Sequence, residues 1–157
     1  MGTGRPKQFL ELAGRPLLAH TLDAFERCRS VDQVVVVASA DSIDDVTELA
    51  KAFSKVRSIV AGGAERQDSV REGLKAVPAE ADLIAVHDGA RPLIRPDEIE
   101  AVLAAAGASG AAVIGQPASD TVKRAQGSHV IETLDRSELW TVQTPQAFRA
   151  EVLREAH

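Results

Sequence analysis

Residues 33–38 read Gln-Val-Val-Val-Val-Ala, a β-branched run with no polar alternation. A strand of this pattern wants both faces covered, which argues against a half-solvated sheet and calls for helices above and below. The flanking sequence supplies them. Pro16 opens a stretch in which Leu17, Leu18, Thr21, Leu22, Phe25 and Cys28 recur at helical spacing. Asp41 and Ser42 suit the N-terminus of a helix whose inner face is Val46, Leu49, Ala50 and Phe53. Val56–Val60 reads as a second strand, Gly62-Gly63 breaks it, and the pattern predicts a helix from about Asp68 to Val77. Leu83–Val86 is a third strand, Pro96-Asp97-Glu98 starts a helix running through Leu103 to Gly107, and Ala111–Ile114 is a fourth strand. This alternation predicts an α/β fold built on a mostly parallel sheet with helices on both faces.

Gln116 to Trp140 breaks the rhythm. Pro117, Gly127 and the short pieces Thr121-Val122-Lys123 and Val130–Leu134 read as a β-ribbon arm, with the break at about residue 117. Trp140–Gln143 is then a further strand and Glu151–Ala156 starts a closing helix. At 157 residues the chain is one domain's worth of sequence. It has no apolar run long enough to span a bilayer and no apolar leader at its start, and its one cysteine, Cys28, forms no internal disulfide. The expectation is a cytoplasmic protein. A net charge of −5 without a basic block, and 3% aromatics without tyrosine, argue against a nucleic-acid partner.

In an open α/β sheet, ligands sit beyond the carboxyl ends of strands, and polar clusters fall there. Gly62-Gly63-Ala64-Glu65-Arg66-Gln67-Asp68-Ser69 joins a strand to a helix; its glycines admit a close backbone approach and its amides suit an acceptor such as a nucleobase carbonyl or a phosphate. His87-Asp88-Gly89-Ala90-Arg91-Pro92 follows the third strand. Asp88 is suited to a hard cation such as Mg²⁺ and Arg91 to a phosphate, with a plain Asp–Arg ion pair as the alternative. His87, beside an apolar run, reads as a hydrogen-bonded structural histidine. The third cluster is Arg5-Pro6-Lys7-Gln8-Phe9, where Lys7 suits a phosphate clamp. Arg66 and Lys123 read as structural ion pairs or solvated faces, and Trp140 as an arm or core anchor. No metal-binding Cys/His spacing and no Ser/His/Asp order occurs. A site of Asp, Arg, Lys and glycine amides without a nucleophile is what phosphoryl or nucleotidyl transfer requires, since catalysis there is positioning and charge neutralisation.

Five segments in order, PKQFLEL (6–12), GGAERQDSVREGL (62–74), VHDGARP (86–92), DTVKR (120–124) and LDRSELWTVQTPQAF (134–148), resemble the 2-C-methyl-D-erythritol 4-phosphate cytidylyltransferase family over essentially the whole chain. The resemblance implies a Rossmann-like, three-layer α/β nucleotidyltransferase fold of the nucleotide-diphospho-sugar transferase type. It implies one domain over residues 1–157, with a β-arm at 117–140 for homodimerisation. The implied reaction takes CTP and 2-C-methyl-D-erythritol 4-phosphate, with Mg²⁺, to the CDP-linked product and pyrophosphate in non-mevalonate isoprenoid biosynthesis. Carried over by motif, Lys7 neutralises the CTP phosphates, Gly63 (backbone) and Ser69 (side chain) face the cytosine, and Gly89 lies along the ribose. Asp88 holds Mg²⁺ or orients substrate; Arg91, Thr121 and a second subunit's Arg136 bind the sugar phosphate, and Thr144 lines the site.

The chain departs from the family pattern at both ends. The family opens with a central strand and a glycine-rich loop ending in Arg just before the position of Met1, and it continues past His157 to a second catalytic Lys. The expectation from this is a fragment, inactive by itself. Ala64 stands where the family often has an acidic residue and Gly89 where it often has Ala. A ribitol 5-phosphate cytidylyltransferase shares the PKQF, HD-x-x-RP and QTPQ elements, while DTVKR and LDR-x-x-LW favour the methylerythritol enzyme. A non-catalytic nucleotide-binding or dimerisation module is the alternative of a different class.

Overall fold

The computed structural model describes residues 6–157, so Met1 and Arg5 lie outside the described residues. After a single 3₁₀ turn at Lys7–Phe9, the two-residue strands β1 (Glu11–Leu12) and β2 (Arg15–Pro16) form a tight antiparallel hairpin. Its turn places Ala13 and Gly14 at φ 50 and 77, the left-handed values that a two-residue hairpin turn requires. Helix α1 (Leu17–Arg27) buries Leu18, Ala19, Thr21, Leu22, Ala24 and Phe25, the face foreseen from its spacing. The valine run forms β3 (Val34–Ala38), which crosses over through α2 (Ile43–Ala50) to the parallel β4 (Val56–Ala61). Phe53, expected on the helix, lies just after it and is buried all the same. Then follow α3 (Arg66–Ala76), β5 (Leu83–Val86), α4 (Pro96–Ser109), β6 (Ala111–Pro117), β7 (Lys123–Gln126), β8 (His129–Thr133), β9 (Trp140–Arg149) and α5 (Ala150–Glu155).

The expectation of a mostly parallel sheet needs correction. β3 and β4 are parallel, but the larger sheet has the order β5-β9-β6, and β9 runs antiparallel to both neighbours. β9 returns directly from the arm without a crossover helix, and a strand that returns so pairs antiparallel. Two extents also change. β9 runs to Arg149 rather than Gln143, and Thr121-Val122 lies in a loop instead of opening the ribbon. The arm itself is the hairpin β7–β8, exposed along its whole length. Trp140, at the arm's base opposite Pro117, is 61% exposed and anchors no core.

One apolar cluster packs α1 and β3 against Val46 and Phe53; a second packs α1, α4 and β9 around Cys28, Ile99 and Ala106, each fully buried. Burying a side chain of the size of Ile99 stabilises by about 1.5–3 kcal/mol, and a methyl such as that of Ala106 by about 0.8 kcal/mol, which fixes the helices over the sheets. Among the described residues β3 pairs only with β4, and β5 only with β9. Between them lies a cleft of about 740 Å³, walled by Val34–Val37 and Leu83–Val86 and by Leu18, Phe25, Val70 and Leu74 from the helices. Arg66, Ser69, His87, Asp88 and Gly89 also line it. No helix among the described residues is long and apolar enough to cross a membrane.

Candidate active site

β4 ends in a loop that folds back on the first turn of α3. The Gly63 amide donates to Ser69 Oγ at 3.2 Å, and the Glu65 amide donates to Asp68 Oδ2 at 3.2 Å, forming one half of a capping box. Asp68 also pairs with Arg71 one turn on. Space explains the two glycines. A β-carbon at Gly62 would sit 2.6 Å from Ser69 Oγ, and one at Gly63 would overlap the Asp68 side chain.

β5 delivers the second cluster. The Arg91 amide donates to the Asp88 carbonyl at 3.0 Å, closing a turn, and Arg91 Nε donates to Asp88 Oδ2 at 2.8 Å. Two distant hydroxyls and the adjacent His87 hold this turn. The Asp88 amide donates to Thr144 Oγ1 of β9 at 3.2 Å, and Thr144 is buried. Thr21 of α1 donates its hydroxyl to the Gly89 carbonyl at 3.0 Å. His87 packs its ring 5.2 Å from that of Phe25, with Nε2 3.2 Å from the Arg91 carbonyl. That partner is an acceptor, which assigns the proton to Nε2. His87 Nδ1 is buried without a hydrogen-bond partner among the described residues. Burial holds the His87 pKa below the usual histidine value, against a smaller upward pull from the Arg91 backbone.

The two clusters meet at Asp88. Arg66, the first residue of α3, brings Nη2 to 3.5 Å from Asp88 Oδ1, while Arg91 holds Oδ2. Sequence reading placed Arg66 among structural ion pairs or solvated faces; the fold does give it an ion pair, and the partner is the site candidate Asp88. The same strand-end rule that picked Asp88 was the available signal, because Arg66 follows β4 as Asp88 follows β5. Thr21 was missed too, and nothing in its sequence context distinguishes it from its neighbours on the buried face of α1.

Three other sequence candidates make no bond to this pair. Among the described residues, the hydrogen bonds and ion pairs of Asp88 and Arg91 involve none of Lys7, Thr121 and Arg136. Lys7 is exposed in its 3₁₀ turn, and Thr121 is exposed in the β6–β7 loop. Arg136 donates to the Ser119 carbonyl at 2.9 Å across the base of the arm. Among the described residues no group of three or more His, Cys, Asp or Glu side chains is placed to hold a metal. The arrangement offers two guanidinium groups and one carboxylate at the rim of a cleft, equipment for gripping an anion.

Comparison with known proteins agrees with this equipment. The profile of the family described as 2-C-methyl-D-erythritol 4-phosphate cytidylyltransferase matches residues 1–157. The chain is 47% identical over 159 residues to the protein of that name from Halalkalibacterium halodurans, covering 100% of this chain and 69% of that protein. It is likewise 47% identical over 164 residues to the one from Geobacter metallireducens, covering 100% of this chain and 70% of that protein. Among solved structures, a 4-diphosphocytidyl-2C-methyl-D-erythritol synthase from Anaerococcus prevotii superposes with a TM-score of 0.88 at 29% identity, covering 98% of this chain and 68% of that one. A 2-C-methyl-D-erythritol 4-phosphate cytidylyltransferase from Thermus thermophilus superposes with a TM-score of 0.76 at 37% identity, covering 97% and 69%.

Proposed function

The chain belongs to the 2-C-methyl-D-erythritol 4-phosphate cytidylyltransferase family, and from that premise we propose that its chemistry runs at the Asp88–Arg91 turn and the Gly62–Ser69 loop. The activity is nucleotidyl transfer: the cytidylyl group of CTP moves to 2-C-methyl-D-erythritol 4-phosphate in isoprenoid biosynthesis. One observation supports the placement above others: Arg66 spans from the start of α3 to Asp88, so the nucleotide-facing loop and the phosphate-facing turn share one hollow.

In this reading the Gly63 backbone and the Ser69 hydroxyl face the cytosine. Ser69 accepts from Gly63, which leaves its proton free to donate to a base carbonyl. Gly89 lies along the ribose, and Thr144 fixes the turn beneath it. Lys7 neutralises the triphosphate. Arg91, Thr121 and the Arg136 of a second subunit grip the sugar phosphate. An oxygen of that phosphate attacks the α-phosphorus of CTP in line, the bond to the β-phosphate breaks, and pyrophosphate leaves with the electron pair. Orientation and charge neutralisation supply the rate, and no covalent enzyme intermediate forms.

The divalent cation of nucleotidyl transfer is Mg²⁺ in this proposal, with Asp88 as its protein ligand. One carboxylate fits Mg²⁺, which keeps several waters and takes its other ligands from substrate phosphates. When bound it screens the phosphates' negative charge. Homodimerisation runs through the β7–β8 arm, on which Val130 and Ile131 are 63% and 58% exposed. Single, buried Cys28 accords with a cytoplasmic setting.

The test is pyrophosphate release from CTP with each acceptor in turn, measured on the chain extended to the full length of its relatives. Release with 2-C-methyl-D-erythritol 4-phosphate and not with ribitol 5-phosphate is the expected result. The reverse preference transfers the assignment to the ribitol reading, and CTP binding without release from either makes the chain a binding module.

A further inference from the structure

We propose that Arg66 and Arg91 form a two-guanidinium seat for a phosphoryl group, and that the Asp88 carboxylate occupies this seat as an internal counter-ion when no phosphate is bound. The inference rests on the site reading above and adds to it a phosphate-binding residue, Arg66, and a second role for Asp88. The two oxygens of Asp88 are divided between the arginines: Oδ2 accepts from Arg91 Nε at 2.8 Å and Oδ1 lies 3.5 Å from Arg66 Nη2. The first distance is a good charge-assisted hydrogen bond; the second is an ion pair too long for one, so Arg66 is the looser partner.

Each guanidinium has five N–H donors, and Asp88 takes one from Arg91 and faces one from Arg66. Among the described residues neither side chain makes any other hydrogen bond or ion pair, so most of both forks remain available to an anion. Two guanidinium groups against one carboxylate leave the seat net positive on a chain whose net charge is −5. Of the loop's two acidic groups, Asp68 is paired with Arg71 and Glu65 is engaged in the capping box of α3. Arg66 and Arg91 are about half exposed, and the seat opens at the cleft rim. A tetrahedral phosphate offers more acceptor oxygens than a carboxylate and can engage both forks bidentately. Its arrival displaces Asp88 from the arginines and frees the carboxylate.

A purely structural ion pair makes the opposite forecast for Asp88, and that difference is the test. Inorganic pyrophosphate and CTP are titrated into the 157-residue chain by calorimetry, at low salt and in the presence of EDTA. Saturable pyrophosphate binding is expected; its absence overturns the proposal. Arg66→Gln is expected to weaken binding about tenfold, with Arg66→Lys intermediate because it keeps the charge and loses the fork. Asp88→Asn is expected to tighten metal-free pyrophosphate binding several-fold, because the competing carboxylate is gone. If Asp88→Asn weakens binding as Arg66→Gln does, Asp88 orders the arginines and the counter-ion role is overturned. If Arg66→Gln leaves both affinities unchanged, the seat is overturned while the cytidylyltransferase reading stands. Pyrophosphate bound through Arg66, with CTP held no better than other nucleoside triphosphates, keeps the seat and breaks the assignment of the base site.

Discussion

The loop after β4 and the turn after β5 stand side by side in one hollow, yet they are built in opposite ways. Most bonds that shape the first span at most six residues, Gly63 to Ser69, Glu65 to Asp68 and Asp68 to Arg71; beyond them the Gly62 amide donates to the Ala38 carbonyl and Arg66 reaches Asp88. The second has local bonds of its own but is also tied from much farther off, by Thr144 across 56 residues and Thr21 across 68. A locally bonded loop keeps its shape through its own composition. A turn tied to a distant strand and helix is ordered only once those elements have packed, so its geometry reports on the state of the whole fold.

Three changes break or sharpen the contrast. The largest effect is expected from Gly63→Val. Its β-carbon would overlap Asp68 and force the start of α3 apart, costing about 2–3 kcal/mol, read as a lowered urea midpoint. The damage should stay local, with amide exchange at Arg91 little changed. Thr144→Val removes the hydroxyl that accepts from the Asp88 amide and should cost about 1–2 kcal/mol. Here exchange at Asp88 and Arg91 should quicken while Gly63 and Ser69 keep their protection. Equal loosening of both segments by either variant would show that they order as one unit and erase the distinction.

The smallest effect concerns pH. The folded pKa of His87 lies below its unfolded value near 6.5, because burial disfavours the charged ring. The unfolded chain therefore takes up a proton at higher pH than the folded one. Stability from this group is complete above 6.5 and is lost as pH falls from there toward the folded pKa. Melting temperature should drop between pH 7.5 and 5.5, and the drop should shrink in His87→Gln. An identical pH dependence in the variant would show that other groups carry it.

Much of the fold is legible in single segments. The valine run, the helical spacing of Leu18, Leu22 and Phe25, and the proline opening α4 each declare their element through local pattern, and those elements form where expected. The direction of β9 was not legible, because a strand's partner depends on how the chain returns to the sheet and not on the strand's own residues. The site divides likewise. Asp88 and Arg91, three residues apart, announce a pair, and the structure pairs them. Arg66 carries no such mark, since its partner lies 22 positions away in the turn after β5. Lys7, Thr121 and Arg136 share a motif vocabulary with Asp88 without touching it in this fold.

The sequence by itself determined the alternation of strand and helix, the strand ends at which charge collects, and the family, because all of these rest on residue identity at short spacing. Only the tertiary structure decided which charges meet. Contact between Arg66, Asp88 and Thr144 requires α3, β5 and β9 to converge at one end of a cleft, and that convergence comes from apolar packing spread along the whole chain.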